Sequence, residues 1–275
     1  MRDVEAMAAL IDALKPWRER VVLVGGWAHR LHRLHPRAKV PSYRPVVTRD
    51  ADVALDTSSR LEGDIAQALE AAGFTNKLTG DHHPPVSHFQ LGEDDAGFYA
   101  EFLSPLRGSG VRRDGTEDAT EAVGGITTQK LRHLELLLQA PWTLDLIPTD
   151  ELPIAEPTRV LVANPTGFIV QKLLIHHLRT ADKKAQDLLY VHDTFELFGA
   201  HLTELNRLWR DEVGPSLLPD HRVEAIDLGR TLFASVNDRI RAAVRITSAD
   251  RQLRPEELRA RGEIGMGELF RTEAA

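Results

Sequence analysis

The sequence predicts a mixed α/β (α+β) domain followed by a helical bundle, and three patterns support this prediction. The apolar run VVLV at 21–24 has the composition of a buried strand and ends at two glycines. The stretch 46–55 alternates apolar and polar side chains, as does a strand with one packed face. From Pro165 onward the apolar spacing is helical. The expected domains are residues 1–150, residues 151–246 and, as a polar and partly mobile tail, residues 247–275.

Apolar spacing and turn residues predict the remaining elements. Ser59 and Glu62 form a capping-box pattern at the start of a helix that ends at Gly73. The loop 105–125 is long and polar, and it is either a flap or an unstructured connection. In chain order the other predictions are helices at 4–17 and 27–34, strands at 86–91 and 97–103 joined by an acidic turn at 92–96, a helix at 127–139, strands at 142–147 and 159–163, and helices beginning at Pro165 and spanning 182–198, 201–213 and 221–246.

The polar face of the strand at 46–55 carries the first candidate site. Asp50 and Asp52 project side by side from this face, together with Thr48, whereas Val53 faces the other way. Hard divalent cations such as Mg²⁺ choose carboxylate oxygens of this kind. An acidic pair on a half-exposed strand is also common on a plain solvated face, so both interpretations stay open on this pattern.

Gly25 and Gly26 follow the first strand and precede a predicted helix. Two glycines at a helix start let backbone N–H groups approach a phosphate, and the helix dipole favours the negative charge. A tight turn without a ligand is the alternative.

Glu101 lies in the predicted strand 97–103 and shares a face with Tyr99 and Leu103. A carboxylate among apolar neighbours indicates a metal ligand or a general base. An edge-strand glutamate that faces water is the alternative.

Two basic patterns complete the set of candidates. His29, His32 and His35 recur every three residues, but three residues are less than one helical turn, so we expect a solvated basic face rather than a zinc site. Lys172 begins a spacing of i, i+4 and i+7 with His176 and Arg179, which predicts a basic stripe. Asp187 lies near the start of the next helix, where an exposed acid ordinarily complements the dipole.

Composition limits the class of protein. The chain has 275 residues, a net charge of −7 and no cysteine, which excludes disulfides and thiol catalysis. Both halves are acidic, so neither has the overall charge of a nucleic-acid-binding domain, although a local basic patch remains compatible. No apolar run approaches the roughly 18 residues of a membrane span, and we expect a soluble, cytoplasmic protein.

Motifs over most of the chain resemble a known family. GGW followed by TRDADVAL resembles the first signature of the nucleotidyltransferase superfamily, which has the fold of DNA polymerase beta, and FYAEFLSPLRG supplies a third acid. The stretch VANPTGFIVQKLLIHHLRTADKKAQDLLYVHD is similar to the helical part of AbiEii-like toxins of type IV toxin-antitoxin systems. The resemblance implies a mixed sheet with flanking helices, a helical bundle, and a nucleotide bound in the cleft between them. It implies metal ligands at Asp50, Asp52 and Glu101, phosphate contacts from Gly25, Gly26, Thr48 and Lys172, and a catalytic pair of Lys172 and Asp187.

The activity that this resemblance implies is the transfer of a nucleoside monophosphate from an NTP to an acceptor, with Mg²⁺ or Mn²⁺. RNA, in particular tRNA, is the expected acceptor, and an antitoxin protein is the expected partner. Nucleotidylation of a protein or of a small molecule such as an aminoglycoside is the alternative activity. A non-catalytic nucleotide-binding module is the alternative from another class.

Overall fold

The computed structural model describes residues 3–46, 48–58, 60–92, 97–113 and 115–272. The chain forms two compact units, of which the first comprises Met1–Ala28 and Val47–Ala163 and the second His29–Val46 and Asn164–Ala275. The first unit thus extends beyond residue 150, where the prolines predict the boundary. The reason is that the strand Thr158–Val162 pairs in parallel with Val21–Val24 and therefore belongs to the sheet.

The first unit is built on one mixed sheet, which confirms the predicted fold class. The strands are β1 (Val21–Val24), β2 (Asp50–Leu55), β3 (Thr75–Thr79), β4 (Val86–Leu91), β5 (Phe98–Pro105), β6 (Thr120–Val123), β7 (Ile126–Leu131), β8 (Trp142–Leu146) and β9 (Thr158–Val162). Their order in the sheet is β3-β4-β5-β2-β1-β9-β8, and β7 pairs with β5 and β6 beside this path. Its helices are α1 (Asp3–Ala13), α3 (Ile65–Ala71) and α4 (Glu135–Leu138), and α2 (Gly25–His32) begins in this unit.

The middle of the sheet supplies the core. Every residue of β1 is buried, and Ala51 and Val53 of β2 have no exposed surface. Burial of such side chains contributes roughly 1.5–3 kcal/mol for each large one, so β2 is firmly placed by its apolar face. Its opposite, polar face is thereby held in a defined position.

The helix predicted at 127–139 is wrong for most of its length. Gly124 and Gly125 have φ values of 56° and 81°, and they form the turn of a hairpin between β6 and β7. Only Glu135–Leu138 is helical. A glycine pair with positive φ at both positions matches the right-handed twist of two paired strands, and this turn chemistry overrides the leucine spacing.

The helix predicted at 59–73 begins later than expected. The carboxylate of Asp64 accepts a hydrogen bond of 2.9 Å from the N–H of Gln67 and caps α3 in place of the predicted capping box.

Some of the predicted features, namely Val47, Ser59 and most of the acidic turn (residues 93–96), lie outside the described residues.

The second unit is helical throughout its described elements. Residues 247–275, predicted as a partly mobile tail, contain a 15-residue helix with Leu258, Met266 and Leu269 buried. Its glycines allow this packing, because a Cβ on Gly262 would lie 2.1 Å from the ring of Phe233. The described helices include none that is both long and apolar enough to cross a membrane. The α-helices are α5 (Pro165–Leu174), α6 (Ala181–Leu197), α7 (Leu202–Leu208), α8 (Gly214–Ser216), α9 (Pro219–Leu232), α10 (Asp238–Arg245) and α11 (Pro255–Leu269), and Trp209–Val213 forms a π-helix.

Candidate active site

Three carboxylates share one face of two neighbouring strands in the first unit. Asp50 and Asp52 alternate along β2, and Glu101 on β5 is the register partner of Asp52 in a parallel ladder. All three side chains are partly exposed, whereas Ala51 and Ala100 on the opposite face are fully buried. The sequence predicted all three acids, but only the pairing of β2 with β5 places Glu101 beside Asp52.

Gly25 lets the carboxylate of Asp52 approach the start of α2. The residue has a φ of +65°, and a Cβ there would lie 1.9 Å from Oδ2 of Asp52. A side chain at position 25 would therefore collide with this acid. Gly26 follows as the second residue of α2 and has no positive φ, so the two glycines differ in what they permit. Free N–H groups and the dipole at a helix start favour negative charge, both a nearby carboxylate and a phosphate.

Thr48 contacts the first aspartate directly. Its hydroxyl donates a hydrogen bond to Oδ1 of Asp50 and lies 3.4 Å from the Asp50 carbonyl oxygen. The side chain of Thr48 thus orients Asp50, and the phosphate contact that the resemblance implies for Thr48 stays a prediction.

The negative charge of the three acids affects the pKa of the neighbouring Tyr99. Burial raises the pKa of Tyr99, and Asp50, Glu101 and Asp52, in that order, raise it further. The phenol therefore stays protonated and can donate a hydrogen bond. His88, which sequence reasoning missed, is the register partner of Glu101 on β4, and its ring centroid lies 4.4 Å from that of Tyr99.

His88 is a neutral imidazole in this arrangement. Burial lowers the pKa of His88, and Lys77 lowers it further. The sequence places His88 in a predicted strand, which was the one signal that could have indicated it. Only the register between β4 and β5 shows that His88 lies opposite Glu101.

The donor set on β2 and β5 fits a hard divalent cation. It consists of carboxylate oxygens on a partly exposed face beside a glycine that leaves room for Asp52. Among the described residues, the group of three such side chains whose ligand atoms lie within 4.8 Å of one another is in the second unit, and Asp50, Asp52 and Glu101 are not part of it.

That group, His192, Asp193 and Glu196, is already contacted by an arginine at every member. Guanidinium nitrogens of Arg251 lie 2.6 Å and 2.9 Å from the two oxygens of Asp193, 3.2 Å from Glu196 and 3.1 Å from Nδ1 of His192. The same guanidinium lies 3.7 Å from the centre of the Tyr43 ring. These contacts indicate a structural ion pair rather than a metal centre.

Lys172 and Asp187 form a buried ion pair in the second unit. Nζ of Lys172 lies 2.6 Å from Oδ1 of Asp187, and Nε of Arg179 lies 3.1 Å from the other oxygen. The ammonium also lies 4.8 Å and 5.1 Å from the ring centres of Phe168 and Tyr190. Asp187 is thus not the exposed, dipole-complementing acid that its position in the helix predicts.

The predicted basic stripe is not a single helical face. Helix α5 ends at Leu174, so His176 lies in a short 3₁₀ helix and Arg179 follows it. Lys172 and His176 are buried and only Arg179 is partly exposed. Burial lowers the pKa of His176, and Arg239 and Lys184 lower it further.

His29 and His32 are likewise buried, although a solvated face was predicted for them. The ring of His29 stacks on Phe168 with centroids 5.8 Å apart, and it lies 4.9 Å from that of Tyr190. Burial lowers the pKa of His29 to about 3, so the imidazole is neutral at pH 7. These rings serve as core aromatics, and the structure shows no zinc-like grouping of His29, His32 and His35 among the residues it describes.

Comparison with known proteins decides the family. A family model described as nucleotidyltransferase matches residues 2–214. The chain belongs to the nucleotidyltransferase family. This nucleotidyltransferase is therefore an enzyme of the EC 2.7.7 kind, and an NTP is its expected substrate. Curated proteins give no match to it.

Two solved structures are similar to the nucleotidyltransferase at low identity. JHP933 from Helicobacter pylori is 14% identical, with a TM-score of 0.47 over 96% of this chain and 88% of that chain. MenT4, a nucleotidyltransferase toxin from Mycobacterium tuberculosis H37Rv, is 14% identical, with a TM-score of 0.41 over 99% of this chain and 84% of that chain.

Proposed function

We propose that this nucleotidyltransferase moves a nucleoside monophosphate from an NTP to RNA, with a divalent metal ion held by Asp50, Asp52 and Glu101. The observation that carries the proposal is the placement of these acids on one face of β2 and β5. Gly25 lies next to Asp52, and it can approach this closely because it has no Cβ. A bound Mg²⁺ or Mn²⁺ would neutralise charge on the NTP phosphates. Carboxylates on one strand face repel each other, so a divalent cation would also stabilise their approach.

The side chains around the acids have separate tasks in this proposal. The Thr48 hydroxyl holds Asp50, and the backbone N–H groups of Gly25 and Gly26 bind phosphate oxygens. Glu101 completes the metal site or accepts the proton of the attacking hydroxyl. Nucleotidyl transfer depends mainly on positioning and on charge neutralisation, and these groups supply both.

Lys172 and Asp187 are proposed as active-site residues of the helical unit. The 2.6 Å ion pair supports the view that Asp187 orients the Lys172 ammonium, with Arg179 fixing the other oxygen of Asp187. A lysine point charge suits phosphate oxygens.

RNA as the acceptor, and a role as a toxin controlled by an antitoxin, rest on the resemblance of residues 162–193 to AbiEii-like toxins. A cytoplasmic location stays a prediction from the absence of cysteine. Growth arrest on expression that a neighbouring gene relieves would support the toxin proposal.

The test is incubation of the purified protein with each α-³²P-labelled NTP, Mg²⁺ and total cellular RNA, in parallel with a protein lysate. Asp52→Asn should abolish labelling of small RNA. Asp56→Asn is the matched control, since Asp56 ends the same polar pattern but pairs with Arg20 at 3.9 Å and is half exposed. Labelling of protein instead of RNA would favour the alternative activity, nucleotidylation of a protein.

Metal binding needs a readout besides activity. Mn²⁺ titration followed by electron paramagnetic resonance should show one site in the wild type and in Asp56→Asn, weakened strongly in Asp52→Asn. Equal Mn²⁺ affinity in all three proteins would refute the assignment of the metal ligands.

A further inference from the structure

A strongly basic pocket lies in the second unit, apart from the residues that the proposed chemistry uses. Its volume is about 490 Å³, and it is formed by the segment after α2, by α7, by the π-helix and by the residues after α11. Four arginines line it, Arg37, Arg207, Arg210 and Arg271, together with His201 and with Glu204 as the acid of the lining. In a chain with a net charge of −7, four guanidinium groups against one carboxylate are a local reversal of the overall charge.

The single acid is already engaged at one side of the pocket. Oε1 of Glu204 lies 2.6 Å from Nη1 of Arg37, and its other oxygen lies 3.8 Å from Nδ1 of His201. Arg271 pairs at 3.2 Å with Glu268, and the two side chains are 52% and 39% exposed. Arg207 is exposed, and in the described part of the chain no carboxylate lies within salt-bridge distance of it. The pocket therefore contains the positive charge of Arg207 without a compensating carboxylate among the described residues.

Buried hydrogen bonds keep the walls of the pocket in place. Asn206 has 3% of its surface exposed, and its amide donates bonds of 2.9 Å to the carbonyls of Leu269 and Arg271. These bonds attach the end of α11 to α7 and bring Arg271 to the pocket. The hydroxyl of Thr166 on α5 donates a further bond of 3.0 Å to the carbonyl of Leu205 on α7. The backbone that carries Arg207 and Arg271 is thus held in place by buried hydrogen bonds.

A π-turn places Arg210 at this pocket. The N–H of Gly214 bonds to the carbonyl of Trp209, five residues earlier, and a Cβ at Gly214 would lie 2.6 Å from that oxygen. Any residue other than glycine at position 214 would therefore disrupt the widened turn. Such turns are rare and are frequently found at functional sites.

We propose that this pocket binds the phosphodiester backbone of the RNA acceptor. Guanidinium groups bind phosphate oxygens in pairs of parallel hydrogen bonds, and Arg207 presents such a group to the pocket with no described carboxylate paired to it. Phosphate contacts fix the position and register of a nucleic acid without reading its sequence. The ligand of the pocket is the acceptor of the proposed transfer, so this inference rests on the proposed function.

The test measures RNA binding separately from catalysis. Fluorescence anisotropy with labelled bulk tRNA is run from 50 to 200 mM salt on the wild type, on R207A/R271A and on R207K/R271K. Arg230→Ala is the matched control, because Arg230 is an exposed arginine of the same unit on α9. Retention of NTP binding and of the folded state is checked for each variant.

Loss of two phosphate contacts should lower tRNA affinity about tenfold or more and reduce the slope of log K against log salt by roughly 1.5. The lysine variant should recover most of the affinity, and Arg230→Ala should behave like the wild type. Wild-type tRNA binding in R207A/R271A would overturn the inference and leave the proposed transfer intact, since Asp52→Asn tests that separately. Binding of poly-glutamate but not of tRNA, lost in R207A/R271A, would overturn it in favour of an acidic protein partner.

Discussion

Replacement of Gly25 by alanine tests the geometry at the centre of the candidate site. The new Cβ would lie 1.9 Å from Oδ2 of Asp52, so the carboxylate or the helix start must move by about 1.5 Å to reach the 3.4 Å of ordinary van der Waals contact. A displacement of about 1 Å in a catalytic group costs on the order of 100-fold in rate. The φ of +65° adds a strain of roughly 1–2 kcal/mol to the folded state.

Gly108→Ala separates these two effects. Gly108 has a φ of +75°, and no atom lies within 4 Å of the place that a Cβ would take, so an alanine there has the strain without the collision. Urea unfolding and the α-³²P transfer assay are run on both variants. We expect Gly108→Ala to lose roughly 1–2 kcal/mol of unfolding free energy and Gly25→Ala to lose at least as much, because the collision adds to the strain. Only Gly25→Ala should lose activity, by about 100-fold or more. Full activity of a folded Gly25→Ala protein would refute the idea that the glycine makes room for Asp52.

Three further predictions concern stability. Asp187→Asn leaves a buried ammonium without its counter-charge and should cost about 3–5 kcal/mol in urea unfolding; a loss below about 1 kcal/mol would contradict the burial of the pair. Burial lowers the pKa of His29 to about 3, below the value of roughly 6.5 in the unfolded chain, so the unfolded state binds the proton first and stability falls as pH drops from about 6.5 towards 3. His29→Leu should therefore lose less unfolding free energy than the wild type between pH 7 and 5, and parallel pH profiles would argue against a buried neutral imidazole. Gly262→Ala should destabilise the protein by roughly 1–3 kcal/mol, because the new Cβ meets a phenylalanine ring. Gly267→Ala on the same helix, where a Cβ has open space, should stabilise the protein by up to about 1 kcal/mol. A Tm that moves in the same direction for both variants would refute the packing of α11.

The local elements with strong patterns were predictable from the sequence. The VVLV run and the alternation up to Leu55 predicted β1 and β2, because an element that buries one face must repeat its apolar residues at its own period. The same alternation placed Asp50 and Asp52 on one face. The failure at 127–139 was also local, since Gly124-Gly125 was a hairpin signal that the leucine spacing obscured.

Other features depend on contacts between residues far apart in the chain, and only the tertiary structure decides them. Nothing within the local sequence sets the register that places Glu101 beside Asp52 and His88 beside Glu101. The burial of Asp187 against Lys172 likewise reverses the interpretation of a helical acid as a surface residue.

The sequence by itself determined the mixed α/β class, the acid pair on β2 and, through its motifs, the nucleotidyltransferase family. The tertiary structure decided which acids share a face, which histidines are core residues and where the arginines of the basic pocket meet. The physical reason is that periodicity reports one element at a time, whereas charge, burial and pKa depend on the neighbours that folding brings to each side chain.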